Sequence, residues 1–201
     1  MKNPNRTAAI RRAEANGDET DTIVIYNSKS GSTLQYAKWI STALRCDIMP
    51  YTRRRLGLCT YYNNVIFGGW IRNGEITRLN MLKQNFGNFN LDTKNVIIFG
   101  VGIAEPTARY IERLQAFNWQ YAGEETAGTE DFFYLPGRFD NRRGAQGRLA
   151  LMGAANSILR GMPQEEVDIF IDRIEGGYNG MDPKYIEPII DRVHASQGLL
   201  K

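Results

Sequence analysis

One local pattern, repeated along the chain, predicts an α/β domain built on an open parallel sheet. A short, β-branched apolar run ends in glycine or small polar residues and leads into a helix-forming stretch. It occurs at residues 22–26, 64–67 and 95–100. Parallel neighbours need crossovers, and right-handed crossovers place their helices on both faces of the sheet. Strands covered on both sides read as continuous apolar runs, as these do. At 201 residues the chain is long enough for one such domain with a sizeable core.

Residues 1–20 are polar and of mixed charge, without the periodicity of a packed element, and predict a flexible extension ahead of a single domain over 21–201. After the first strand, Ser32 or Thr33 is suited to cap a helix in which Leu34, Ala37, Trp39, Ile40 and Leu44 recur at helical spacing. Residues 46–51 supply another strand before the cluster Arg53, Arg54, Arg55. The run 64–67 leads through Gly68 and Gly69 to a helix expected over 76–86. The run 95–100 leads through Gly102 to one expected over 106–117. Residues 131–135 complete five strands. Over 137–181 the alternation breaks down into a basic, partly amphipathic excursion. Its portion 137–162 sets Arg138, Arg142, Arg143, Arg148 and Arg160 against the single acid Asp140, among Leu149, Leu151, Met152, Ile158 and Leu159. Within it Pro163 and the acids Glu165 and Glu166 open a helix through Ile174, matching the helix dipole, and Gly176 and Gly177 stop it. A last helix starts at Asp182 and Pro183, and Pro188 is expected to kink it.

Composition narrows the function. Hydrophobic residues at 42% and charged residues at 23% are ordinary globular usage, and no apolar run approaches the roughly eighteen residues of a membrane span. The basic N-terminus has no apolar core or cleavage site, so a cytoplasmic location is the expectation. Cys46 and Cys59 have no metal-ligand spacing and read as buried thiols, with no metal expected. A net charge of +3 is too mild to argue for nucleic acid, and is compatible with anionic small molecules or lipid headgroups.

In parallel sheets ligands sit beyond the carboxyl ends of the strands. That directs attention to residues 27–33, 68–74 and 100–106. The first of these delivers Ser28, Ser30, Gly31, Ser32 and Thr33 to a helix start. Free amides and close hydroxyls there can enclose a phosphate monoester; they equally suit a plain serine-rich turn. Neither Gly-x-Gly-x-x-Gly nor a P-loop ending is present, which argues against a dinucleotide or triphosphate site.

Ser28-x-Ser30-Gly31-x-Thr33 directly after the first strand resembles the phosphate loop of flavodoxins. The resemblance implies a doubly wound five-stranded sheet of order 2-1-3-4-5 with FMN as cofactor, to which the residues over 137–181 add a helical, basic insertion before the last helix. The segment 65–74, ending Ile71-Arg72-Asn73-Gly74, is closer to the flavodoxin-like protoporphyrinogen oxidases, which also carry a tyrosine-containing, Arg-rich stretch after the last strand, as residues 134–140 do here. By this resemblance Ser28, Lys29, Ser30, Gly31, Ser32 and Thr33 surround the FMN phosphate. Gly69, Trp70, Ile71, Arg72, Asn73 and Gly74 border the ring on one side and Gly100, Val101, Gly102 and Ile103 on the other. Two features depart from electron-carrier flavodoxins: the third loop has no tyrosine to stack on the flavin, and the chain is slightly basic rather than acidic. Trp70 is either an aromatic on the ring or a core residue.

The charge bears on redox chemistry. Arg72, if about 6 Å from an anionic ring at an effective dielectric near 20, would stabilise the reduced form by about 3 kcal/mol. The alternative has it pointing to solvent or paired with Glu75. Arg138, Arg142 and Arg143 are candidates for binding carboxylates or an anionic membrane surface, or form a solvated basic face. No catalytic acid or base stands out, and the single histidine, His194, reads as a surface residue. The expected function is an FMN oxidoreductase acting on a porphyrinogen or quinone-like molecule. The alternatives are a one-electron carrier that works with a redox partner protein and a flavin-free interaction module.

Overall fold

The computed structural model describes residues 21–119, 131–142, 152, 159 and 161–199. The expectations for residues 1–20 and for Arg143, Arg148, Leu149, Leu151, Ile158 and Arg160 lie outside them. Strands β1 (Thr22–Asn27), β2 (Asp47–Pro50), β3 (Asn64–Arg72), β5 (Asn95–Gly102) and β6 (Phe132–Pro136) are parallel and lie in the order β2-β1-β3-β5-β6. Leaving out the short β4 (Glu75–Ile76), that is the 2-1-3-4-5 order of a flavodoxin-like sheet. The register lines up the carboxyl ends: Asn27 sits opposite Gly69, Gly69 opposite Gly100, and Gly100 opposite Tyr134.

Because successive strand residues face opposite sides, each apolar run feeds two cores. Val24, Ile66, Ile97 and Phe99 pack under α1 (Ser32–Leu44) and α5 (Glu187–Leu199). Ile23, Ile25, Val65, Phe67 and Ile98 pack on the other face with Leu56, Leu79, Leu82 and Leu91. Full burial of one such side chain contributes about 1.5–3 kcal/mol. A third cluster joins α3 (Ala108–Trp119) to α4 (Gln164–Gly176) through Tyr110, Leu114, Phe170 and Ile174, over Tyr134 of β6.

Five sequence expectations change. Helix α1 is not capped by Ser32 or Thr33: its N-cap is Gly31, at φ 98°, where a side chain would be strained, and no side chain caps it. Strands β3 and β5 run past the glycines expected to end them. A Cβ at Gly68 would lie 2.0 Å from the Phe99 ring and one at Gly69 2.6 Å from Ile76, so these glycines make room inside the sheet. The helix expected over 76–86 is reduced to α2 (Leu79–Lys83), with 3₁₀ turns following only at Gly87–Phe89 and Leu91–Thr93, because Asn73 and Gly74, both at positive φ, fold residues 75–76 back onto β3 as β4. This is the backbone that a tight hairpin demands of an Asn-Gly pair. The last helix opens as a 3₁₀ turn (Pro183–Ile186) capped by Asp182. Pro188 then falls at the second residue of α5, where no intrahelical N–H is needed, and not in the helix interior where it would kink it. The 137–181 excursion is tied at its base by β7 (Arg138–Phe139) pairing with β8 (Tyr178–Asn179). Leu159 within it is buried and Met152 exposed.

Candidate functional site

The carboxyl ends of β1 and β3 flank the point where the strand order reverses, and the first loop lies there. Its conformation follows from Gly31. The left-handed turn lets the Gly31 N–H donate to Ser28 Oγ at 3.2 Å, while the Gly31 carbonyl starts the helix by accepting from Gln35 N. The next three amides have no partner within a helix by construction. The first turn of α1 carries neither an acid nor a side-chain cap, and the space where a Gly31 Cβ would sit is open. Ser30 is exposed, Ser28 half-buried, and Ser32 and Thr33 are buried. Ser32 Oγ accepts from the Arg138 N–H at 3.3 Å, so the strand end after β6 is fastened to the same helix turn. Tyr36 completes that fastening: its hydroxyl donates to the Pro136 carbonyl at 2.7 Å, and burial pushes its phenol up to about 12, keeping it a donor.

The second segment meets the first. Lys29 Nζ lies 5.3 Å from the centre of the half-buried Trp70 ring, within cation–π range. Asn27 Nδ2 donates to Thr77 Oγ1 at 2.8 Å and Thr77 Oγ1 donates to the Trp70 carbonyl at 2.9 Å, a chain joining β1 to the hairpin. Neither Asn27 nor Thr77 was singled out from the sequence. Gly69, Trp70, Ile71 and Arg72 are strand residues and Asn73 and Gly74 the hairpin turn, not a loop. Arg72 is exposed and stands opposite Glu75 in the β3–β4 register. A buried side chain fixes the hairpin: Asn118 Oδ1 accepts from Ile76 N–H at 2.7 Å, and its Nδ2 donates to the Gly74 carbonyl at 2.7 Å.

The third segment closes the row. Gly100 and Gly102 are covered on one side, since a Cβ on either would lie 3.1 Å from the Ile71 Cδ1. Val101 is buried, and Gly102 and Ile103 are half-buried. Burial holds the Tyr134 phenol well above its ordinary value, and its hydroxyl donates to the Ala104 carbonyl at 2.8 Å. Of the basic cluster, Arg138 is exposed beside the first loop, whereas Arg142 is paired with Asp140 at 3.0 Å. His194 is exposed on α5.

An uncapped, hydroxyl-lined helix start at the switch point of a doubly wound sheet is the kind of place where α/β proteins take anions. The chain belongs to the flavodoxin domain family, whose model matches residues 23–143, more than half of its length. Membership supports FMN as the cofactor. The acid-free first turn of α1 and its hydroxyls fit a phosphate monoester. Among solved structures, the chain is 14% identical to the WrbA-like flavodoxin of Agrobacterium tumefaciens, with TM-score 0.41, covering 72% of this chain and 98% of that one. Flavodoxin 1 of Bacillus cereus is 16% identical, with TM-score 0.40, covering 69% and 97%. The Fusobacterium nucleatum flavodoxin bound to flavin mononucleotide is 16% identical, with TM-score 0.33, covering 41% of this chain, which spans about half (51%) of that one. No curated protein matches the sequence. No helix among the described residues is long and apolar enough to cross a membrane.

Proposed function

We propose that this protein is an FMN-dependent oxidoreductase passing electrons between a porphyrinogen or quinone-like substrate and an acceptor. The observation that carries the reading is the first turn of α1, with its free amides, its hydroxyls and no carboxylate to repel an anion. There Ser28, Ser30, Ser32 and Thr33 would hold the phosphate of FMN, with Lys29 adding positive charge. Trp70 and Ile71 would border the ring from one side, and Val101, Gly102 and Ile103 from the other. FMN, when bound, supplies reversible transfer of one or two electrons.

The substrate class is supported by charge. Lys29 on the first segment, Arg72 at the end of β3 and Arg138 just after β6 are exposed cations near the carboxyl ends of the strands, and they favour negative charge accumulating there. That condition suits two-electron exchange with an organic molecule, and a guanidinium such as Arg138 suits its carboxylates. A second reading, a one-electron carrier between proteins, is favoured by a different observation. The single carboxylate on the third loop, Glu105, is tied to Arg173, leaving no acid or base there to assist a substrate.

The test is direct. The purified protein is soaked in FMN, its absorption spectrum recorded, and protoporphyrinogen, quinols and NADPH added without oxygen. Bleaching by protoporphyrinogen or a quinol supports the oxidoreductase, and bleaching only through a reductase protein supports the carrier. A colourless product defeats both. Replacing Ser30 and Thr33 by Ala should weaken FMN binding by roughly a hundredfold or more, because each hydroxyl bonds a charged group, while leaving riboflavin binding unchanged.

A further inference from the structure

The loop after β5 is the wall of the proposed flavin site that sequence makes weakest. It is apolar, follows Gly102, and has no aromatic to clamp a ring. Yet three successive carbonyls of this loop each have a donor from another part of the chain. The Gly102 carbonyl accepts from Gly137 N–H at 2.6 Å, the Ile103 carbonyl from Arg173 Nη1 at 2.8 Å, and the Ala104 carbonyl from the Tyr134 hydroxyl. Arg173 acts twice, since its Nη2 also pairs with the carboxylate of Glu105. Its guanidinium carbon stands 4.1 Å from the centre of the Tyr178 ring, and its side chain is only 16% exposed. A second tie from the same helix joins Thr107 Oγ1 to Glu166 Oε2 at 3.2 Å.

A planar fork with five donors can hold a carbonyl and a carboxylate at once while stacking on an aromatic face; an ammonium cannot do all three. We infer that Arg173, on a helix of the excursion, is a positioning residue that fixes residues 102–105 as the ring-side wall of the flavin site. The inference rests on the FMN reading above. Among the described residues, no hydrogen bond, ion pair or ring contact joins Arg173 to the phosphate loop or to Trp70, so its influence falls on the ring and not on the phosphate.

That division makes the test specific. In the full chain, Arg173→Met should weaken FMN and riboflavin by the same factor, about five- to tenfold, the scale of one ordinary hydrogen bond, because the lost contacts act on the wall and not on the flavin itself. It should also change the visible circular dichroism of the bound flavin. Arg173→Lys, which can keep hydrogen bonds to Glu105 and the Ile103 carbonyl but loses the flat face that stacks on Tyr178, should fall between. Glu105→Gln, which leaves the Ile103 contact, should lose less than Arg173→Met. Amide hydrogen exchange of residues 102–105, measured without any flavin, should quicken in Arg173→Met while exchange in β1 and β3 does not change. Unchanged exchange there overturns the clamp, whatever the flavin does. Quickened exchange with unaltered flavin affinity and dichroism overturns the role toward the ring. If wild-type protein binds neither flavin, the cofactor reading fails and the ring-positioning role fails with it, while the exchange data still report whether Arg173 holds the loop.

Discussion

Asn118 is the side chain that holds the β3–β4 hairpin against α3, and its removal should cost more than its single position suggests. The residue is 5% exposed. Its amide accepts from Ile76 N–H and donates to the carbonyls of Gly74 and Leu114, at 2.7, 2.7 and 2.8 Å. In Asn118→Leu the branching and heavy-atom count are kept, so no cavity contributes. The Leu114 carbonyl retains its place in the helix ladder. Two groups are orphaned: the N–H of Ile76, itself 2% exposed, and the carbonyl of Gly74, which is half-buried and partly reached by water. At 1–3 kcal/mol for each orphaned group, weighted to the lower end for Gly74, the loss is about 3 kcal/mol. For a domain of this size that lowers Tm by roughly 6–12 °C. Urea unfolding followed by circular dichroism measures the energy, and hydrogen exchange at Ile76 locates it. A loss below about 1 kcal/mol, with the Ile76 amide still protected, would refute the reasoning, because the hairpin would then be held by something else.

Further outcomes follow from packing and titration. Gly68→Ala should destabilise by about 3 kcal/mol, the upper end for overpacking, because its Cβ would meet the fully buried Phe99 ring at 2.0 Å. Pairing it with Phe99→Leu should recover part of that loss, and a neutral single variant in a urea titration would reject the clash. Tyr36→Phe should cost about 1–2 kcal/mol by leaving the Pro136 carbonyl without its donor, seen as a lower urea midpoint. Burial pushes the Cys46 thiol up to about 12, helped by Asp47, and the Cys59 thiol up to about 11. The folded chain therefore holds these protons more tightly than the unfolded chain. The stabilisation is complete below about pH 9, the ordinary thiol value, and is lost as pH rises through 11 and 12. Urea midpoints should fall across that range, less steeply when both cysteines are replaced by Ala; a flat wild-type profile would contradict the assignment.

The sheet was legible because parallel strands buried on two faces cannot hide their apolar runs. The phosphate loop was legible because hydroxyls crowd a helix start. What misled was glycine. Gly68, Gly69 and Gly100 look alike in sequence whether they make room for a ligand or for the rings and branched side chains that here lie across them. Asn73-Gly74 carried a hairpin signal, yet Ile76, Leu79, Leu82 and Phe86 repeat at helical spacing, and the period concealed the turn. Arg173 left no local trace. It meets Ile103 seventy positions away through a fold that only the assembled excursion creates.

The ladder of β7 with β8, together with the Gly180 N–H donating to the Gly137 carbonyl at 3.0 Å, means that the chain departs from the sheet and comes home through a single gate. Beyond that gate the segment is an insertion, part of which the core needs: Phe170 and Ile174 of α4 pack on Tyr110, Leu114 and Tyr134. Doubling its length would add only about 0.6 kcal/mol of closure entropy. Its length can therefore change without disturbing the five strands, provided α4 keeps Phe170 and Ile174 in the third cluster and Arg173 on the loop after β5.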